Sequence, residues 1–257
     1  MHRELIHIYG PFSINSYGVA IAIGIIVFML LAVRNPRRKQ LMSANQFSES
    51  ILVGILAGII GGRLLFILTS WHMFATFGEF FSIWDGGFAV LGTILAIILA
   101  VPLNLKKQLI PILPFLDLVG LYAPLLYAIS RIGCFAAGCC YGLPTSLPWG
   151  YIYSDPDSIA PLHVALHPTQ LYSSGISLLV FFFMIGIAQR IFKNPGQLFM
   201  IYLALTSSER FIVDFWRADR EYLSQPAFAL LSVYQWIALG IFFSSLIGFF
   251  IVSSRKR

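Results

Sequence analysis

Long apolar runs alternate with short polar stretches along the whole chain. Seven runs approach the roughly 20 residues that a helix needs to cross a bilayer. They predict spans over 15–33, 48–68, 87–103, 112–132, 168–188, 197–216 and 230–252. Pro102, Pro111 and Pro114 crowd the region after the third run, where proline is expected to break the helix. The stretch 143–168 is rich in proline and aromatics, too apolar for disorder, and predicts a small ordered head. There is no internal repeat and no low-complexity segment. No polar stretch is long enough for a second core, so one membrane domain over 1–257 is expected, with loop 136–168 as its outer cap. The fold class read from this pattern is an all-α integral membrane protein of seven transmembrane helices.

Composition agrees. Of 257 residues, 58% are apolar and 11% charged, against about 25% charged in soluble domains. The opening MHRELIHIYGPF lacks a basic region followed by a long apolar core, so no cleavable signal peptide is expected.

The net charge of +6 acquires meaning from its distribution, which does not point to nucleic acid. Arg34, Arg37, Arg38 and Lys39, then Lys106 and Lys107, then Arg190 and Lys193, then Arg255, Lys256 and Arg257 occupy alternate loops. These are eleven of the 17 Lys and Arg. The positive-inside rule puts those loops in the cytoplasm. The N-terminus then faces outward and the C-terminus inward, as an odd number of spans requires. Loop 70–86 (with Glu79 and Asp85) and loop 136–168 (with Asp155 and Asp157) carry no Lys or Arg, as outer loops should.

The other six cations are all arginine: Arg3, Arg63, Arg131, Arg210, Arg217 and Arg220. Five of them fall in spans or at their outer ends, against the topological bias. An arginine at a bilayer centre costs about 3 kcal/mol or more. Guanidinium stays charged and grips phosphate through a planar fork. Such a cluster asks for an anionic partner, and a phospholipid head group is the obvious one. Asp117, Glu209, Asp214 and Asp219 could instead pair with some of these arginines.

Three stretches converge on the outer half. Arg131 to Gly142 holds all three cysteines and three glycines, which let a backbone approach a ligand closely. In Leu166 to Tyr172, Pro168 suits a helix start and His167 falls at or near the N-cap. His167 can cap backbone N–H groups there or move a proton near neutrality. In Ser208 to Arg217, Arg210, Asp214 and Arg217 are spaced i, i+4, i+7 and are expected on one inward helix face.

These pieces resemble the bacterial prolipoprotein diacylglyceryl transferases. The resemblance rests on Tyr17-Gly18, Gly61-Gly62-Arg63-Leu64, Trp84-Asp85-Gly86-Gly87, Arg131-Ile-Gly with Tyr141-Gly142-Leu-Pro-Thr, His167-Pro-Thr-Gln-Leu-Tyr172 and Arg210-Phe-Ile-Val-Asp-Phe-Trp-Arg217, in that order. It implies a multi-pass enzyme of the bacterial inner membrane. Such an enzyme moves a diacylglyceryl group from phosphatidylglycerol to the lipobox cysteine thiol near a prolipoprotein signal peptide, releasing glycerol phosphate. It implies Arg131, Arg210 and His167 as catalytic, and Tyr17, Arg63, Gly142, Gln170, Asp214 and Arg217 as substrate-binding. It implies no cofactor. Two other readings stay open: a paralogue moving a lipid-linked group to another acceptor, and a non-catalytic lipid-binding protein.

The chain departs from the family pattern at particular positions. Cys134 and Ala137 stand where the family has asparagine, and Cys139 where it has glutamate. Leu91 replaces a histidine and Thr206 a tyrosine. Cys134, Cys139 and Cys140 could pack, form a disulfide, act as nucleophile, or bind metal with His163 or His167. Their spacing is not a standard zinc signature, so no metal is expected.

Overall fold

The computed structural model describes residues 4–9, 12–73, 80, 86–222 and 230–254. Arg3, Glu79, Trp84, Asp85, Arg255, Lys256 and Arg257 lie outside the described residues.

Among the described residues, six helices are long and apolar enough to cross a membrane. They are α1 (Ser16–Arg34), α3 (Ala44–Thr69), α4 (Val90–Lys107), α5 (Ile112–Ala137), the run Thr169–Ile191 and α9 (Val233–Ser254). The run Thr169–Ile191 comprises α6 (Thr169–Phe183), a π-helical turn at Met184–Ala188 and α7 (Gln189–Ile191). The chain is thus a multi-pass, helical membrane protein. The expected seventh, α8 (Gln197–Val213), has 17 residues and passes into a 3-10 turn at Asp214–Trp216. At 1.5 Å per residue it spans roughly 25 Å, short of a hydrocarbon core of about 30 Å. A short α2 (Pro36–Leu41) links α1 to α3.

Two short strand pairs accompany the helices of this all-α membrane fold. β1 (Glu4–Tyr9) pairs with β2 (Phe12–Asn15), and β3 (Tyr151–Ile152) pairs antiparallel with β4 (Ala165–Leu166).

The chain divides into two compact units. The smaller takes α2, α3 and α4. The Ser43 hydroxyl accepts from the Gln46 N–H, the Gln46 side chain accepts from the Ser43 N–H, and this capping box starts α3. Gly54, Gly58 and Gly62 recur every fourth residue along α3. A Cβ on Gly61 would lie 2.6 Å from the Gly92 carbonyl oxygen, so α3 and α4 cross at near backbone contact. Small residues at such crossings substitute for the hydrophobic drive that lipid removes. Thr93 Oγ1 donates to the Gly58 carbonyl at 3.0 Å, and Asn104 Nδ2 to Ser50 Oγ at 3.2 Å. Pro102 lies inside α4 and does not end it. In lipid the alternatives to a helix leave more backbone groups unpaired than one proline does.

The larger unit takes α1, nearly all of α5, and α6 to α9. Leu118, Leu121 and Ala128 of α5 are buried. Phe28 of α1 and Phe181 of α6 both meet Tyr122, and Ser174 donates to the Ala128 carbonyl at 3.0 Å. Asp117 of α5 reaches the start of α8. Its carboxylate accepts the N–H groups of Gly196 at 2.7 Å and Phe199 at 2.8 Å, where negative charge stabilises the start of α8. The stretch after α5 folds as expected into an ordered head. Phe135, Tyr153, Ala160 and Leu166 form its core.

Candidate active site

Arg131 lies in the last two turns of α5, since the helix runs five residues past Ile132, to Ala137. A Cβ on Gly133 would meet Ala20 at 2.5 Å, so this turn packs tightly on α1. One turn earlier on the same helix, Tyr127 takes the Arg131 guanidinium over its ring, 4.6 Å from the centroid. Its hydroxyl accepts from Nη2. Arg131 makes no ion pair among the described residues, and its buried Nε has no hydrogen-bond partner.

α8 supplies the second cation. Arg210 pairs with Asp214 one turn on, at 3.3 Å, and lies over the Tyr234 ring of α9 at 4.7 Å. Between these arginines sits Glu209, 3% exposed. Ser173 of α6, Arg131, Arg210 and Arg217 all bear on its carboxylate electrostatically. Its buried Oε1 has no hydrogen-bond partner among the described residues. Arg131 and Arg210 also repel one another, as do Arg210 and Arg217. The structure therefore sets the charges of Arg131, Arg210 and Arg217 on one buried carboxylate, with Arg210 and Arg217 each also paired to an aspartate.

Arg217 does not share a helix face with Arg210 and Asp214. Val213 ends the helix, the 3-10 turn follows, and Arg217 is extended (φ −78, ψ 145). Its partner is Asp219, not Asp214, with Nε to Oδ1 at 2.8 Å. Cys140 also bears on it electrostatically. The charged partners raise its pKa against the opposing effect of burial.

Asp214 is a junction, 1% exposed. Besides Arg210 it meets Arg220 at 3.6 Å and accepts from the Ser232 hydroxyl. Arg220 in turn donates to Gln235 Oε1 at 3.1 Å.

The residues named from the second stretch turn inward on the protein. The N-cap of α6 is Pro168, which has no side chain to cap with, and His167 stands one residue before it. His167 Nδ1 lies 3.2 Å from Tyr172 Oη, which accepts from Trp149 Nε1 at 2.9 Å. Among the described residues no hydrogen bond joins His167 to Arg131 or Arg210. Gln170, 1% exposed, spends its Nε2 on the Cys139 carbonyl at 2.7 Å and Tyr153 Oη at 3.2 Å. Gly142 is a backbone joint: its N–H donates to the His167 carbonyl at 3.0 Å, and it bridges Arg217. A Cβ there would lie 2.5 Å from His167 Cβ and 2.7 Å from the Trp216 carbonyl. Its close approach is to protein, not to open space.

Tyr17, at the start of α1, is 43% exposed and within electrostatic reach of Arg131, Cys134 and Cys139. Arg63 belongs to the smaller unit. It is 8% exposed and grips backbone, donating to the carbonyls of Phe80 at 3.1 Å, Gly86 at 2.6 Å and Gly87 at 3.1 Å. The pattern of the sequence does not single out Tyr127, Ser173 or Tyr234. Only Tyr127 carries a usable signal, its i, i+4 spacing to Arg131.

The description "prolipoprotein diacylglyceryl transferase" matches residues 3–251 as a family. A relative in Clostridium tetani, named phosphatidylglycerol–prolipoprotein diacylglyceryl transferase, is 34% identical over 251 residues, covering 98% of this chain and 96% of its own. This chain belongs to the prolipoprotein diacylglyceryl transferase family. A relative in Clostridium perfringens, bearing the same name with the numeral 2, is 32% identical, over 95% of this chain and 93% of its own. One in Thermotoga maritima is 30% identical, over 82% of this chain and 73% of its own.

Within this diacylglyceryl transferase family member, the positions that depart from the pattern have definite surroundings. Leu91 is 62% exposed on α4, in the smaller unit. Thr206 hydrogen-bonds the Tyr202 carbonyl one turn back at 2.8 Å. Cys134, Cys139 and Cys140 are free thiols with their sulfurs gathered together.

Proposed function

We propose that this chain transfers the diacylglyceryl group of phosphatidylglycerol to the lipobox cysteine of prolipoproteins. The convergence of Arg131, Arg210 and Arg217 on Glu209 carries the reading, together with membership of the family. In the step proposed, the acceptor thiol loses its proton and the thiolate sulfur attacks the glyceryl carbon that bears the phosphate. A C–S bond forms, the C–O bond breaks, and glycerol phosphate leaves with the electron pair. Negative charge grows on the phosphate oxygens, and fixed guanidinium groups placed there favour the transition state over the ground state. Arg131, which makes no ion pair among the described residues, is the cation most free to bind phosphate. Arg210, partly neutralised by Asp214, is the second. Arg217 holds the loop to which both are attached and adds long-range positive potential.

His167 is the proposed proton acceptor. With Nδ1–H donated to Tyr172 Oη, its Nε2 carries the lone pair and can take the thiol proton. Tyr17, half-exposed beside Arg131, is positioned to hydrogen-bond lipid. Gln170, Gly142 and Asp214 support the site by holding its backbone and its arginines, and Arg63 holds the segment at 86–87.

The topology belongs to this reading too. α8 and its 3-10 extension together are proposed as a seventh span, with the N-terminus out and the C-terminus in. The basic loops at 34–39, 106–107 and 190–193 support it. The membrane is then the bacterial inner membrane, with the head and active site on its outer side.

The test is complementation of a bacterium depleted of its own diacylglyceryl transferase. Growth with lipid-modified prolipoprotein supports the function. No growth, with the protein in the membrane at normal levels, favours a paralogue with another acceptor.

A further inference from the structure

Cys134, Cys139 and Cys140 bring their three Sγ atoms within 4.8 Å of one another. All three are free thiols. No histidine or carboxylate joins the group among the described residues, so neither His163 nor His167 belongs to it.

The chain spends conformational energy to gather them. After α5 ends, Gly138 turns at φ +69 and Cys140 at φ +59. A non-glycine residue in the left-handed region is uncommon and is held there by its surroundings. Those surroundings are visible. The Cys139 N–H donates to the Cys134 carbonyl at 3.1 Å. The Cys139 carbonyl accepts from Gln170 at 2.7 Å and the Cys140 carbonyl from Thr169 at 2.9 Å. Both donors are 1% exposed. Two buried side chains from α6 therefore lock the backbone that aims two of the sulfurs. Positive charge stands beside the group: Arg217 attracts Cys140, and Arg131 attracts Cys134.

We propose that Cys134, Cys139 and Cys140 form a binding site for one soft closed-shell metal ion, of the zinc, cadmium or copper(I) class. Sulfur ligands select such ions. Thiolates bound tetrahedrally at about 2.3 Å lie about 3.8 Å apart, so small adjustments close the site. Binding replaces thiol protons by metal, and the neighbouring arginines offset the negative charge of the three thiolates. Three protein ligands leave a fourth position for water. A disulfide fits less well. Adjacent Cys139 and Cys140 have Cα atoms about 3.8 Å apart, below the usual range of about 4.4–6.8 Å, and a bridge to Cys134 strands the third thiol.

The experiment uses the full chain, reduced, in detergent micelles, titrated with Cd2+. Thiolate-to-metal charge-transfer absorption reports binding, and peptide-resolved mass spectrometry counts the cysteines that Cd2+ protects from alkylation. The expected result is one equivalent bound and all three cysteines protected. Cys134→Ser, Cys139→Ser and Cys140→Ser should each weaken binding about tenfold or more, and His163→Ala should not change it. The protection assay on the wild-type chain keeps the test independent of how the serine variants fold. Absence of the absorption band with no cysteine protected overturns the proposal. So does recovery of a Cys134 disulfide from protein purified with Zn2+ and without reductant.

Discussion

The Arg131 guanidinium is stacked on the ring of Tyr127, one helical turn behind it, and hydrogen-bonded to the same residue's hydroxyl. A cation held against an aromatic face keeps its charge while its fork is fixed in direction. Tyr127→Phe keeps the ring and should slow transfer by about tenfold or less, whereas Tyr127→Leu also removes a stack worth roughly 0.5–2 kcal/mol and should slow it further. Transfer rates of the two variants at equal protein amounts check the order. Equal rates for phenylalanine and leucine would mean that the stack does not orient Arg131.

Asp214 joins Arg210, Arg220 and Ser232 from inside the protein. Breaking such a buried pair costs about 3–5 kcal/mol, toward the low end here because the arginines are partly exposed. Asp214→Asn should lower the melting temperature measurably and reduce activity. Arg220→Lys should also destabilise, since Arg220 lies over Phe215 and Tyr222 as well as beside Asp214. Unchanged melting in both variants would contradict the junction at Asp214.

Gly142→Ala forces a methyl group into the joint between His167 and Trp216. Overpacking of this kind costs about 1–3 kcal/mol. The variant should melt lower, and its labelled thiols should become more accessible as the joint opens. Wild-type melting would show that the joint yields without strain.

Interaction with the Cys134 and Cys139 sulfurs and the charge of Arg217 hold the Cys140 thiol below the ordinary range, while Cys134, Cys140 and burial raise that of Cys139. A depressed value means stabilisation that is present above the unfolded thiol pKa, about 8.5, and lost only as pH falls through the folded value. In reduced, metal-free protein, alkylation of Cys140 should therefore stay near its plateau from about pH 8 to about pH 6, where an ordinary thiol slows about tenfold per unit. Peptide-resolved labelling distinguishes it from Cys139. A Cys140 rate that falls tenfold per unit would contradict the thiolate.

Much of this was legible in the sequence, and for a physical reason. A bilayer forces each spanning run to be apolar and about 20 residues long, so the helices announce themselves. The intramembrane arginines were equally plain, because lipid makes them costly. What the pattern could not convey was where the chain stops being regular. α5 continues past Arg131 because Gly133 packs on α1, and the 3-10 turn at Asp214–Trp216 takes Arg217 off the face that its spacing predicted. The same limit explains the partners. Arg217 with Asp219, Arg210 over Tyr234 and Asp117 at the start of α8 are set by tertiary packing, which a one-dimensional period does not encode. Pro102 inside α4 shows the converse, a strong local rule overridden by the surrounding lipid.

The central claim is that Arg131 and Arg210 grip the lipid phosphate as the glyceryl bond breaks. Lysine keeps their charge and loses the fork. The most direct measurement is transfer of labelled diacylglyceryl from phosphatidylglycerol to a lipobox peptide by purified wild-type, Arg131→Lys and Arg210→Lys protein, with Lys193→Arg as a neutral comparison. The account predicts transfer by the wild type, an unchanged rate for Lys193→Arg, and a loss of about 100-fold or more in each arginine variant with the fold intact. Wild-type rates in both Arg131→Lys and Arg210→Lys would contradict it.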